Sequence, residues 1–333
     1  MSEWNYKLRK DLTKQVDGYT VYRIEALKDF SDVKKGDLGG FVESLGNLYS
    51  FGDNECWIYD DAVVRGYACV SGNAKIHDNA LVRGQAHVLG EAEISDSAEI
   101  TEFVEIYGNA KVYGKAKIKG YAKVYDNAEV YEHANISGNA QIYDNAIIYG
   151  FTNIFDNAKI HDEAEVYDFA SVRDNAEVCG MAEIHDDVDI YESARISDSV
   201  EIFDEAEAYG FATIDGFAKI HDFVKVCGSA IVSDEAEVCS NAIIDGNAHI
   251  IGDAVICEDK DYYVCKCIWL GGEEATYTRS NNMWCYEGVN YTGKELVKKM
   301  SEESESDGQY CESMIEYIES LYKKIEENNT SNK

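Results

Sequence analysis

From Ala62 to Ala254 the chain repeats every six residues with no insertion or deletion. Thirty-three successive positions hold Ala, apart from Val104, Thr152, Val188, Val200 and Val224. Two residues after each stands Val or Ile, from Val64 to Ile256, with Ala208 the one exception. A short period held over most of a chain means a solenoid, in which each repeat buries its apolar side against its neighbours. Within one hexad, Ala-x-Val/Ile places two apolar side chains on one side of a very short strand and the middle residue on the other. The remaining residues are mostly Gly or Asp followed by Asn, Ser, Glu or Phe, as in Gly108-Asn109 and Asp126-Asn127. Gly, Asn and Asp tolerate left-handed backbone angles, so each hexad is one strand plus one corner. A small Ala beside a large Val or Ile suits a narrow triangular interior. Three hexads close a turn, and the expectation is an all-β solenoid of about 11 triangular coils at ~4.8 Å per coil.

Ile76 with Ala80, Val124 with Ala128 and Ile160 with Ala164 each pair an aliphatic residue with a small one four positions later. On these residues the repeat resembles the hexapeptide-repeat, left-handed parallel β-helix superfamily. The resemblance implies the left hand, which the period alone does not. One departure is that the residue after the aliphatic is often Tyr, His or Cys, where that family has a small or acidic one. The best-known members are acyltransferases, but a fold does not carry a function with it.

The chain has 333 residues, 45% hydrophobic, with no Pro and a net charge of −33. Residues 60–258 hold 38 Asp plus Glu against 13 Lys plus Arg. Such acidity argues against nucleic acid or an anionic membrane as a direct partner and favours a basic one. No apolar stretch follows Met1, and no run is long enough to span a membrane. The expectation is a cytoplasmic protein whose ten cysteines are reduced thiols.

The ends are different in kind. The division read from sequence is an N-terminal cap over 1–45, the β-helix over 46–258 and an α+β C-terminal domain over 259–333. Residues 19–27 read as a strand and 35–40 (KGDLGG) as a turn, in a segment that covers the unpaired edges of the first coil. Further on, 262–270 and 275–279 read as antiparallel strands followed by 283–291, then helices over 293–303 and 306–327. The second helix carries Met314, Ile315, Ile318, Leu321, Tyr322 and Ile325 on one face, which needs a partner surface. The solenoid end or another subunit would serve, and the latter gives a homo-dimer or trimer. Residues 328–333 are expected to be disordered. Arg23-Ile24-Glu25-Ala26-Leu27 with KGDLGG, Thr278-Arg279-Ser280-Asn281 with Met283-Trp284, and Tyr291-Thr292-Gly293 resemble uncharacterised hexapeptide-repeat proteins of phages and prophages. That resemblance implies a setting in a host cell and supplies no catalytic motif.

Residues 18 apart stack on successive coils, so columns can be read directly. One holds Tyr113, Tyr131, Tyr149, Tyr167, His185, Phe203 and His221; a second holds Tyr107, Tyr125 and Tyr143. Stacked aromatics either stabilise a solenoid face or offer a platform to a protein, base or sugar. The neighbouring column is acidic: Asp60, Asp78, Asp96, Glu132, Asp168, Asp186, Asp204 and Asp222. These carboxylates repel where Gly or Asn would not. They make the corner turn, bind a divalent cation, or present an anionic surface to a basic partner. The net charge over the coils is about one per 2 Å, near the ~1.7 Å of duplex DNA. This is similar to the logic of the pentapeptide-repeat gyrase-binding proteins, which are β-helical DNA mimics with a period of five.

For acyl transfer, the hexapeptide family uses a His near a subunit interface as general base. His161 or His185 would take that role, but the uninterrupted hexads extrude no loop to build a pocket. Cys257, Cys265, Cys267 and Cys285 lie near the end of the solenoid, and four thiolates would hold zinc. Their Cys-x-Cys spacing is not that of paired zinc knuckles, and no cofactor is expected. No phosphate loop, Ser-His-Asp set or His-Glu-x-x-His motif is present. The sequence therefore reads as a non-enzymatic acidic β-helix, a phage-type inhibitor engaging a nucleic-acid-binding or defence protein of the host by charge mimicry. A trimeric acyltransferase and a binder of a nucleotide-like ligand between subunits are the competing readings.

Overall fold

The computed structural model describes residues 4–52, 54–267 and 273–331. It is a parallel β-solenoid of about 12 turns, with a few N-terminal strands and a small C-terminal domain of sheet and helix. The chain divides into two compact units, Met1–Ser193 and Ala194–Lys333.

In the first unit each hexad makes a two-residue strand that pairs in parallel with the strand 18 residues on. Lys111–Val112 pairs with Glu129–Val130, placing Lys111 opposite Glu129 and Val112 opposite Val130. Three parallel sheets result, one on each side of the turn. The Ala and Val/Ile positions point inward and are fully buried, as at Ala110, Val112, Ala128 and Val130. Each buried Val or Ile contributes roughly 1.5–3 kcal/mol against leaving it in water.

The corner is where backbone geometry constrains the sequence. Every sixth residue from Asp60 to Gly252 has a positive φ, 33 positions without a miss. Fifteen are Gly, seventeen are Asp or Glu, and one is Ser240. Outside Gly, such angles cost roughly 1–2 kcal/mol per residue, least for Asn and Asp.

The turn count exceeds the expected 11 because stacking starts before the period becomes legible. Leu38–Val42 already pairs in parallel with Val63–Val64, Phe41 opposite Val63 and Val42 opposite Val64. That spacing is 22, as is the one between Leu48 and Val70, whereas Ile58 and Ile76 are 18 apart. Four extra residues between Leu48 and Ile58 thus hide the first turn from a search in sixes. The expected turn at 35–40 is correspondingly short: Asp37 closes back on Lys34, and Leu38 opens the strand. Gly40 takes the place that Ala holds elsewhere, and a Cβ there would lie 2.4 Å from Ile58 Cγ2 and 2.6 Å from the Ala62 carbonyl.

The cap is a hairpin. Tyr6–Val16, a segment to which the sequence assigned no element, pairs antiparallel with Tyr19–Ala26, which in turn pairs antiparallel with Leu38–Val42. The sheet that would have begun with an open edge is thereby extended outward. Between Arg9 and Thr13 the register shifts, the kind of bulge that discourages further strand addition. Tyr6, Ile24, Leu48 and Trp57 are buried, with the rings of Tyr6 and Phe30 edge-on to Trp57. The Asn47 amide donates to the carbonyls of both Gly66 and Ala68 at 2.9 Å.

The second unit continues the same hexads, with Glu201–Ile202 on Lys219–Ile220 and Thr213–Ile214 on Ile231–Val232. Its last turn is closed by side chains, one on each side. Ile243 N donates to Asp259 Oδ1 at 3.0 Å, His249 N to Thr276 Oγ1 at 2.9 Å, and Val255 N to Ser280 Oγ at 2.7 Å. Beyond lies an antiparallel sheet of Tyr262–Cys267, Glu273–Thr278, Met283–Tyr286 and Val289–Tyr291. Part of the first expected strand, 268–270, is outside the described residues. Helices Gly293–Glu303 and Glu305–Ser331 follow. The expected disorder at 328–333 does not hold as far as Ser331, because the helix runs on to it; 332–333 are outside the described residues. Much of the apolar face of this helix packs within its own domain, since Ile315, Ile318 and Tyr322 are buried in one core with Tyr277, Trp284 and Leu296, while Leu321 is exposed and the side chain of Ile325 is outside the described residues.

Gly40→Ala should test the tightness of the first turn. Overpacking costs typically 1–3 kcal/mol, so the urea midpoint should fall clearly below that of the parent chain. An unchanged midpoint would mean the turn has slack that the contacts deny.

Candidate functional site

Two kinds of column run along each unit, and the structure gives them different exposures. In the first unit Tyr113, Tyr131, Tyr149, Tyr167 and His185 stack ring on ring, with centroids 4.7 to 5.0 Å apart. Tyr107, Tyr125, Tyr143 and His161 do the same at 4.6 to 4.9 Å. In the second unit Phe203 stacks on His221 at 5.0 Å. These rings are half-buried, and within a column their faces are turned to one another, so edges and hydroxyls are what they offer outward. Burial, and then the neighbouring phenols, pushes Tyr125 and Tyr149 up to about 12.

Exposed aromatic rings of the coils stand at the corners, one residue after the positive-φ position. Phe151 and Phe169 stack at 5.5 Å beside His133, and Phe103 on Tyr121 at 4.7 Å. Phe169 is 61% exposed, and in the second unit Phe211 is 72% exposed, with Phe217 and Phe223 also in the open. Their signal was in the sequence as Phe following the corner Gly or Asp. The half-buried Tyr columns, one position after the Val or Ile, do not contain it.

The acidic column has a structural task. Asp168 and Asp186 in the first unit, and Asp204 and Asp222 in the second, all have positive φ. Corner carboxylates also accept the amide of the corner one turn on. Asp78 N donates to Asp60 Oδ2 at 3.3 Å, Gly114 N to Asp96 Oδ2 at 2.9 Å, and Ser240 N to Asp222 Oδ2 at 2.8 Å. The same bond recurs on the other corners, from Gly180 N to Asp162 and from Gly120 N to Glu102, both at 3.0 Å. Asn would supply the same acceptor and accommodates positive φ at least as well. No corner uses it.

Charge is distributed unevenly. Residues 60–123 hold 9 Asp plus Glu against 8 Lys plus Arg, and 124–258 hold 29 against 5. In the first unit 124–193 carries a net −14 over about four turns, roughly one charge per 1.3 Å at ~4.8 Å per turn. In the second unit 194–258 carries a net −10, roughly one per 1.7 Å on the same spacing.

The histidines read as candidate bases have both carboxylate and ring neighbours. His161 Nε2 lies 3.0 Å from Glu177 Oε1 and Nδ1 3.2 Å from Asp162 Oδ2, while His185 Nδ1 lies 2.9 Å from Asp186 Oδ2. A groove of about 680 Å³ in the first unit is lined by Tyr19, Glu43, Arg65, Tyr67 and Arg83 but by no histidine.

The proposed thiolate cluster does not assemble. Cys257 forms a disulfide with Cys239, one turn away with Cα atoms 4.6 Å apart, so these two thiols are not reduced as expected. Cys265 pairs with Ala275 and Cys285 with Thr276, neighbours in one strand, so the two cysteines face opposite sides of the sheet. The side chain of Cys267 is outside the described residues. No helix among the described residues is long and apolar enough to cross a membrane. No protein-family model matches the chain, and a comparison with curated proteins finds no match.

The corner chemistry makes two predictions. Asp96→Asn keeps both the left-handed corner and the acceptor for Gly114 N, and should move the unfolding free energy by no more than about 0.5 kcal/mol. Asp96→Val loses both and should cost at least about 1–2 kcal/mol. Equal losses in the two variants would mean that the charge itself holds the corner. Asp215 in the second unit tests the repulsion. Burial first, then Asp198 and Asp234, raises its carboxyl above the ordinary aspartate range. The folded chain therefore holds that proton more tightly than the unfolded one. Stability falls as pH rises from the unfolded pKa through the folded one, and the deficit persists above. Asp215→Asn should raise the urea midpoint at neutral pH and leave it unchanged well below pH ~4; the reverse pattern would contradict the assignment.

Proposed function

We propose that this chain is a non-catalytic acidic solenoid that binds a basic macromolecule through the corners of the coils beyond residue 124. One observation carries the reading: seventeen of 33 left-handed corners are Asp or Glu and none is Asn. Like charges ~4.8 Å apart repel by about 1 kcal/mol even at the dielectric of water. The corner itself asks only for a residue that tolerates positive φ and accepts an amide, so the charge exceeds what the turn needs, although Asp162, Asp174, Asp186 and Asp222 also pair with a neighbouring His or Arg. Corner aromatics such as Phe151 and Phe169 lie beside these carboxylates and add apolar contact to charge complementarity. The sharper form is mimicry of duplex DNA, which the charge spacing within each unit supports. The resemblance of the ends to phage and prophage hexapeptide-repeat proteins suggests a host nucleic-acid-binding or defence protein as the target. Acyl transfer by His161 or His185 is the alternative.

The test is competition. Labelled duplex DNA is bound to a lysine- and arginine-rich DNA-binding protein, and the chain is titrated in at about 50 mM and 300 mM salt. The proposal expects displacement at low salt that is lost steeply at high salt, as ion release requires. It expects a marked loss in the double variant Phe151→Ser/Phe169→Ser. Displacement indifferent to salt, or none at all together with acetyl-CoA turnover or a small ligand freed on denaturation, would overturn it.

A further inference from the structure

One pattern occurs once in each unit: His-Asp, fourteen residues, then Glu-Val-Cys. It is His161-Asp162 with Glu177-Val178-Cys179, and His221-Asp222 with Glu237-Val238-Cys239. The two histidines are 60 residues apart, which is not a multiple of 18, so the pattern is not a by-product of one column of the sequence repeating. An 18-residue turn sets the cysteine one coil beyond the histidine in the same column. The glutamate, two residues earlier, points outward from the flanking strand.

In the first unit this brings a nitrogen, an oxygen and a sulfur together. The donor atoms of His161, Glu177 and Cys179 lie within 4.8 Å of one another. His161 Nε2 is 3.0 Å from Glu177 Oε1, and on the other side of the ring Nδ1 is 3.2 Å from Asp162 Oδ2. Cys179 is buried and not part of a disulfide, and Tyr143 stacks on the imidazole at 4.6 Å. A carboxylate on the second imidazole nitrogen is the arrangement that orients metal-binding histidines. Donors around a tetrahedral zinc stand about 3.5 Å apart, given Zn–N near 2.0 Å and Zn–S near 2.3 Å. A bound ion would have to draw the donors inward from the separations of up to 4.8 Å that they have here. Thiolate with imidazole and carboxylate selects zinc-like ions over calcium or magnesium, which take oxygen alone.

The second unit repeats the geometry. His221 Nε2 is 3.2 Å from Glu237 Oε1 and Nδ1 is 3.1 Å from Asp222 Oδ2, but Cys239 is held by Cys257. The chain also contains its own control. His77 Nε2 is 3.3 Å from Glu93 Oε1, yet Ser95 stands where the other two have cysteine.

We propose that His161, Glu177 and Cys179 bind a zinc-class transition-metal ion, with Asp162 orienting the imidazole, and that His221, Glu237 and Cys239 are a second such site closed by the disulfide. Cobalt reports on both, because cobalt–thiolate bonding gives a charge-transfer absorption that nitrogen and oxygen ligands do not. The full chain, stripped with a chelator, is titrated anaerobically with Co²⁺ and then with Zn²⁺. One equivalent should bind with the disulfide intact and give the thiolate band, which zinc then abolishes. Cys179→Ser should remove the band. Asp162→Asn should weaken binding about tenfold or more, as loss of an orienting carboxylate does. His161→Phe should weaken it at least as much. Phe203 holds the equivalent stacked place in the other column, so His161→Phe should fold, and far-ultraviolet circular dichroism checks this. After a phosphine reductant opens Cys239–Cys257, a second equivalent should appear and vanish in Cys239→Ser, and a third should never appear. No thiolate band, or one that survives Cys179→Ser in a folded chain, overturns the first site. Failure of the second equivalent to appear on reduction overturns the second.

Discussion

The amide of residue i donating to the carbonyl of residue i + 17, one coil on, is the interaction on which the rest depends. Tyr113 N reaches Val130 O at 3.0 Å and Lys111 N reaches Ala128 O at 2.9 Å, and the pattern recurs at alternate residues along the solenoid of each unit. It holds only if each turn spends the same number of residues at each corner, and that in turn requires a positive φ at every sixth position. A single inserted residue would move every following apolar side chain to the wrong side. The absence of insertions from Ala62 to Ala254 is thus a consequence of stacking. The one longer turn, before Val63, is at the end, where only one neighbour has to match.

A solenoid gains nothing by stopping, because its last strands keep unpaired groups. The two ends meet this need differently. At the start, backbone answers backbone, as the hairpin of Tyr6–Val16 and Tyr19–Ala26 adds antiparallel strands to one sheet. At the finish, side-chain oxygens of Asp259, Thr276 and Ser280 answer the last amides, one to a side. The second device covers all three sides at once and lets a separate domain, with its own core around Trp284 and Met300, take over the chain.

The solenoid was legible in the sequence because Ala-x-Val/Ile and the corner residue are local requirements repeated many times. The first turn was not, because Gly40 replaces Ala and four extra residues break the count. The strand Tyr6–Val16 was missed because its side chains are mostly exposed and carry no apolar alternation. Among candidate site residues, the spacing of 18 gave the ring stacking that each unit shows, from Tyr113 to His185 and from Phe203 to His221. What spacing does not give is direction: half-buried rings at Tyr131 and exposed ones at Phe169 look alike in a list of aromatics. Cysteine pairing was misread for the same reason. Cys257 was grouped with its neighbours in sequence, whereas its neighbour in space is Cys239, one coil away.

The central claim is that corner carboxylates do two things, of which folding uses only one. Replacing Asp168, Asp186, Asp204 and Asp222 together by Asn keeps a side-chain oxygen at each of these left-handed corners, including those beside His185 and His221, while removing four charges. The direct measurement takes the unfolding free energy of that chain and its affinity for a lysine-rich polypeptide across a salt series. The account predicts stability equal to or above that of the parent, a weaker affinity and a shallower dependence on salt. A chain that loses stability while its affinity and salt slope stay the same would contradict it.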